Sequence, residues 1–194
     1  MILGIDTAYK HLSLVLIKDG KVIASYSELA FKKQSEEIFV RLDYLFKKHN
    51  LNKKELKAIY LSIGPGSYTG LRIALTLAKV LAQLNNLELY TIDTLRLYSA
   101  NKENTMVIMD ARANRAYAAI FDQDKIIKPT TILNINDLKT ENYNLVGDLS
   151  LIGLDDFYYD MPSCFLNNLK NFTKVTSISS LTPNYFKTEK DYYR

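Results

Sequence analysis

Apolar positions in the first half of the chain change period at identifiable places, and each change predicts an element. Ile2-Leu-Gly-Ile5 is a short apolar run that ends on Asp6. Runs at 11–17 and 22–26 flank Lys18-Asp-Gly-Lys21, and an Asp-Gly pair between two strand-like runs predicts a tight hairpin. Three antiparallel strands are therefore expected to open the protein. Ser35 is expected as a helix N-cap, with Glu36 and Glu37 in the first turn and Ile38, Leu42, Leu45 and Phe46 at helical spacing. Lys47, Lys48 and His49 favour its C-terminus at about residue 48. A buried strand over 58–63 leads into Gly64-Pro-Gly-Ser-Tyr-Thr-Gly70 and a helix over 71–84, then a strand at 87–92 and a short helix around 94–100.

That order, βββαβαβα, matches an α/β lobe of the ribonuclease H-like or actin-like type. In such a sheet the first and fourth strands are neighbours, so the turn after Asp6 and the 64–70 turn lie together where ligands of open α/β sheets collect. A second opening follows. Thr105-Met-Val-Ile-Met-Asp110 is again an apolar strand ending on an acid, 115–121 is strand-like, 122–125 is a turn, and 144–146 a late strand. An N-terminal actin-like lobe over 1–102 and a smaller, reduced second lobe over 103–194 are expected. Residues 149–181 show too little periodicity to assign elements.

A glycine-rich turn between a strand and a helix lets backbone approach a phosphate or another protein closely. On a helical wheel the 71–84 segment has one polar stripe of Arg72, Thr76, Lys79 and Gln83. Ile73, Leu77, Val80 and Leu84 form an apolar flank, and Leu71, Ala74, Leu75, Ala78, Leu81 and Ala82 cover the rest. A surface helix needs an apolar arc of a little over about 100°, and this one covers roughly twice that. The surplus is buried either against a second helix of the same chain or against a partner protein.

The chemistry of most enzyme classes is absent. Asp6 and Asp110 stand where an actin-like phosphotransferase would hold a metal-bound nucleotide, which keeps such an enzyme as the alternative. The segment after Asp6, Thr7-Ala-Tyr-Lys-His11, has no glycine for a phosphate hairpin. Two histidines, His11 and His49, have no metal-ligand spacing, and no Gly-x-Ser-x-Gly elbow or full Walker sequence occurs. The 64–70 turn is one residue longer than the dinucleotide fingerprint, with Asp93 at a distance suited to a ribose, so a nicotinamide or flavin site is a further alternative. The single Cys164 has no base nearby in sequence and is read as a structural thiol of a reducing compartment. No run spans a bilayer and no signal peptide precedes Ile2, so a cytoplasmic protein is expected. The net charge of +4 is mild. The pairs Lys32-Lys33, Lys47-Lys48 and Lys53-Lys54 sit at helix ends and loops, and no nucleic-acid module is recognisable.

Ile2-Leu-Gly-Ile-Asp-Thr-Ala8, Gly64-Pro-Gly-Ser-Tyr-Thr-Gly-Leu-Arg-Ile73 with Leu77-Ala-Lys-Val-Leu-Ala82, Asp110-Ala-Arg112 with Tyr117, and Pro183-Asn-Tyr-Phe-Lys187 together carry a resemblance. The chain resembles the TsaB (YeaZ) family, the dimerisation subunit of the bacterial machinery that makes threonylcarbamoyladenosine in tRNA. The resemblance implies an actin-like (ASKHA) fold without catalysis, cofactor or metal of its own. It further implies pairing with a homologous catalytic subunit, TsaD, through the first two helices, self-pairing when that partner is missing, a nearby ATPase partner, TsaE, and tRNA contact only through the complex. On these positions the expected partner surface comprises Phe39, Leu42, Gly66, Ser67, Tyr68, Thr69, Arg72, Ile73, Thr76, Leu77, Val80 and Leu84. The chain departs from the family pattern at Gln34, where a histidine is expected, at Phe186 and Lys187 in place of Leu and Arg, and in its shorter second lobe.

Overall fold

The computed structural model describes residues 1–30 and 33–186 and, at Gln34, the backbone alone. Lys32 and Lys187 thus lie outside the described residues, as does the side chain of Gln34.

Asp19 and Gly20 adopt left-handed φ values of 51° and 71°, the backbone that a two-residue hairpin requires. They join β2 (His11–Lys18) to β3 (Lys21–Leu29). β1 (Ile2–Asp6) pairs antiparallel with β2 and parallel with β4 (Ala58–Ser62), and β4 pairs parallel with β5 (Glu88–Ile92). The expected adjacency of the first and fourth strands is therefore present. Parallel pairs need crossovers, and α1 (Gln34–Lys48) and α2 (Tyr68–Asn85) supply them.

Two helix starts differ from expectation. Lys33, not Ser35, is the N-cap of α1 and makes no side-chain cap bond, so Ser35 lies in the first turn beside Glu36 and Glu37, whose charges favour that end. Helix α2 begins three residues before Leu71 because Ser67 caps it: the Gly70 N–H donates to Ser67 Oγ at 3.3 Å. The Leu71 N–H then donates to the Ser67 carbonyl at 2.9 Å. Gly70, which signals a turn in sequence, is the third residue of the helix.

After α3 (Thr94–Tyr98) a second sheet forms from β6 (Thr105–Arg112), β7 (Arg115–Asp122), β8 (Lys125–Asn134) and β9 (Asn144–Gly147), in the order β8-β7-β6-β9. The turn expected at 122–125 is present, but the chain beyond it continues as β8. α4 (Met161–Asn167) follows, and β10 (Thr173–Lys174) returns to pair antiparallel with β5, giving the first sheet the order β10-β5-β4-β1-β2-β3.

Alternate residues of β2 explain its unbroken apolar run. Leu12, Leu14 and Leu16 face a core with Ile38 and Leu45 of α1 and Ala74, Leu77 and Ala78 of α2. Val15 and Ile17 face a second core with Phe165 of α4 and Val107, Tyr117 and Phe121 of the second sheet. The far side of that sheet buries Met106, Ile108 and Ile120 under 3-10 turns at Ile135–Asp137 and Leu149–Ile152. No helix among the described residues is long and apolar enough to cross a membrane.

Candidate functional site

The turn after β1 and the glycine turn before α2 touch. The Ser67 N–H donates to the Ala8 carbonyl at 2.6 Å, and the Thr7 hydroxyl donates to the Gly70 carbonyl at 2.7 Å. A Cβ on Gly66 would lie 2.2 Å from the Ala8 oxygen, and one on Gly70 2.1 Å from the Thr7 oxygen. The close backbone approach that glycine permits is thus used by a neighbouring turn of the same chain. The β1–β2 turn fills the close approach at Gly66 and Gly70, while the side chains of Ser67, Tyr68 and Thr69 stay exposed.

The strand-end acids are also committed internally. Asp6 is 1% exposed and accepts from the Ser62 hydroxyl, the Tyr98 hydroxyl at 3.0 Å and the Ala8 N–H at 3.3 Å. Burial raises its pKa above the ordinary carboxylate value, against the lowering effect of those bonds. Asp110 accepts from the Arg112 N–H at 2.7 Å and pairs with its guanidinium at 3.3 Å. Asp148, which follows β9, is also buried, although no sequence signal marks it. It accepts from the Asp110 N–H at 2.8 Å, the Tyr158 hydroxyl at 2.9 Å and the Lys10 ammonium at 3.1 Å. Burial, with Asp148 alongside, pushes the hydroxyls of both Tyr9 and Tyr158 well up. No group of three or more His, Cys, Asp or Glu among the described residues could hold a metal ion.

Other candidate chemistry is likewise occupied by structure. Asp93 caps α3, accepting from the Leu95 and Arg96 N–H groups at 2.8 and 3.1 Å, which is the role that replaces the suggested ribose grip. Cys164 is 1% exposed, and burial drives its thiol pKa up, away from the thiolate a nucleophile needs. His11 begins β2 and His49 caps α1 at its C-terminus, so they form no pair. Lys47 and Lys53 both pair with Asp43.

An apolar face is open beside α1 and α2. A groove of about 470 Å³ runs between α1 and α2, lined by Ser35, Phe39, Tyr68, Thr69, Arg72, Ile73, Thr76, Leu77 and Val80. Phe39, Val80 and Leu84 are 61%, 45% and 78% exposed. Leu42 and Ile73 are half-buried, and Ser67, Tyr68, Thr69, Arg72 and Thr76 are exposed. Leu42, Gly66, Ser67 and Leu84 are not among the residues that line the groove, and two of the expected contact residues are turned inward. Leu77 is 2% exposed and belongs to the core, reaching the groove only as its floor. Gly66 is half-buried against Ala8. Val40, Tyr44 and Tyr185 are further exposed apolar residues. Tyr185 stacks on Tyr68, ring centroids 5.2 Å apart.

Residues 20–155 match the family model described as TsaD: tRNA N6-adenosine threonylcarbamoyltransferase. The tRNA threonylcarbamoyladenosine biosynthesis protein TsaB of Bacillus subtilis (strain 168) is 32% identical over 124 residues, which cover 62% of this chain and 54% of that protein. The chain thus spans about half the length of that relative. An uncharacterised Mycoplasma pneumoniae protein is 26% identical over 200 residues, covering 95% of this chain and 94% of its own. YeaZ from Pseudomonas aeruginosa superposes with a TM-score of 0.81 at 16% identity, over 95% of this chain and 98% of that one, and so shares the fold. With the family model matched over most of its length and TsaB proteins among its relatives, the chain belongs to the tRNA N6-adenosine threonylcarbamoyltransferase family, on its TsaB (YeaZ) branch.

Proposed function

We propose that this chain is a non-catalytic subunit of the machinery that makes threonylcarbamoyladenosine in tRNA. Its α1/α2 face docks a TsaD-type catalytic subunit and holds it in an active arrangement. That partner transfers the threonylcarbamoyl group to the adenosine beside the anticodon. A TsaE-type ATPase binds near the shared interface, tRNA is met only through the complex, and the assembly works in the cytoplasm. Alone, the chain pairs with a second copy through the same face.

One observation carries this reading: the apolar groove between α1 and α2, where Phe39 and Val80 stand in solvent, with Leu84 exposed further along α2, on helices whose other sides already cover the sheet. An apolar patch of this kind is a usual mark of a protein interface. The absence of a catalytic role is supported by the internal engagement of Asp6, Asp110 and Asp148 and by the buried Cys164. The same bonds argue against a phosphotransferase working through Asp6 and Asp110, since the Asp6 oxygens already accept from the Ser62 and Tyr98 hydroxyls.

Light-scattering mass of the chain, alone and mixed with the TsaD-type protein of the same organism, tests it. A homodimer that gives way to a heterodimer is expected. Val80→Glu should weaken both at least about tenfold while the melting curve stays unchanged. A monomer that ignores the TsaD-type protein overturns the reading.

A further inference from the structure

Arg72 stands exposed at the rim of the groove. On the neighbouring α1, Arg41 pairs with Glu37 at 3.2 Å, and Lys47 with Asp43 at 2.6 Å. Among the described residues no Asp or Glu pairs with Arg72. The side chain is nevertheless held in place. Its guanidinium carbon lies 5.2 Å from the centre of the Tyr68 ring, and its NH1 donates to the Tyr68 hydroxyl. The Tyr68 ring is backed in turn by Tyr185, at 5.2 Å and 29° between ring planes. Tyr185 comes from a distant part of the chain, anchored next door where the Asn184 N–H donates to the Ile63 carbonyl at 2.7 Å.

We propose that the Tyr185–Tyr68–Arg72 stack presents a pre-oriented guanidinium to a carboxylate on the docked protein partner. Arg72 is then the residue that reads the partner's charge, and Tyr185 is its positioning residue. This rests on the α1/α2 face being the docking face. A long exposed side chain ordinarily loses rotamer freedom when it binds, and stacking removes part of that cost beforehand. Docking an apolar surface into the groove would exclude water around the guanidinium and strengthen a charge-assisted bond made there. Arginine and tyrosine clustered beside an apolar pocket are the composition of an interface hot spot. The partner that fits is a protein surface carrying an acidic side chain beside an apolar knob; a phosphate backbone would satisfy the arginine and leave the groove unfilled.

Affinity for the TsaD-type protein of the same organism, measured by calorimetry at low and high salt, tests the stack. Arg72→Gln should weaken binding about tenfold or more and flatten its salt dependence, with Arg72→Lys in between. Tyr185→Ala should weaken it several-fold, while Tyr185→Phe, which keeps the ring, should match wild type. Arg72→Glu should be rescued by exchanging one partner acid for lysine. All these side chains are exposed, so melting curves should not move. If Val80→Glu breaks the complex but Arg72→Gln leaves affinity and salt dependence at wild-type values, the charge reading is overturned and the docking face stands. If Val80→Glu and Arg72→Gln are both without effect, the docking face falls and this inference with it. A Tyr185→Ala affinity equal to wild type overturns the positioning role.

Discussion

Both sheets start from the same device, an apolar strand with an aspartate at its last position (Asp6) or two residues before it (Asp110), followed by an antiparallel partner, and they diverge in how the chain moves on from there. The first sheet continues through parallel pairs, so it must spend residues on crossover helices, and those helices have outer sides. The second sheet continues by hairpins from β6 to β7 to β8, and its outer side is covered only by short turns. Among the described residues, the open apolar groove between two helices lies beside the first sheet. The two acids follow the same division. Asp6 accepts from three donors, whereas the Asp110 side chain keeps 22% exposure and answers an arginine two residues away.

The contrast breaks most severely at Leu77. Leu77→Glu would bury an unpaired carboxylate in the first core and should cost more than about 4 kcal/mol, abolishing a cooperative melting transition. Val80→Glu, less than one turn further along α2, should stay within about 0.5 kcal/mol of wild type. Equal losses at the two positions would mean that α2 has no free outer face. Gly70→Ala comes next, because the added Cβ would meet the Thr7 carbonyl at 2.1 Å, backbone against backbone. A loss of about 2–4 kcal/mol in urea unfolding is expected.

The acids give the smallest effects and the sharpest comparison. Asp6→Ala strands the Ser62 and Tyr98 hydroxyls and should cost about 2–3 kcal/mol, against less than about 1 kcal/mol for Asp110→Ala. Their pH behaviour sharpens this further. Because burial raises the Asp6 pKa, the folded state keeps that proton where the unfolded chain has released it. Its contribution is full below the unfolded value of about 3.9 and is lost as pH rises through the folded pKa. The stability gap between wild type and Asp6→Ala should therefore narrow as pH rises from about 4. A gap that widens would show that hydrogen bonding outweighs burial at Asp6. Exposed Asp43, lowered to about 2 by Lys47 and then Lys53, has the opposite sign: its contribution is present above about 3.9 and fades as pH falls toward about 2.

Most of the first sheet was legible because its signals are local. The Asp19-Gly20 hairpin, the apolar β1 and β4 runs and the α2 periodicity each follow from a few neighbouring residues. β8 escaped because it is an edge strand, exposed along nearly all its length and carrying Pro129, so the alternation of a half-buried strand is missing. The start of α2 was hidden by Gly70, although Ser67 was the cap signal that could have revealed it. A wheel puts Leu77 and Val80 on one stripe and cannot say which lies toward the sheet. The stacking of Tyr185 on Tyr68 joins residues far apart in sequence, and the role of Asp148 depends on strands of the second sheet meeting the β1–β2 turn. Neither leaves a local pattern to read.

The return of the chain to the first sheet bears on the order of events at the ribosome. β5 is made early, yet its outer edge is paired only by Thr173 and Lys174, and the Val175 N–H donates to Leu89 beside it. The Ile63 carbonyl, at the mouth of the glycine turn, likewise waits for Asn184. A nascent chain that has not reached these residues carries an open sheet edge and lacks the ring that backs Tyr68. The face that a partner would grip is thus completed only once residues 173–185 have been synthesised, and a fragment stopped short of residue 173 should be seen by chaperones and proteases as unfinished.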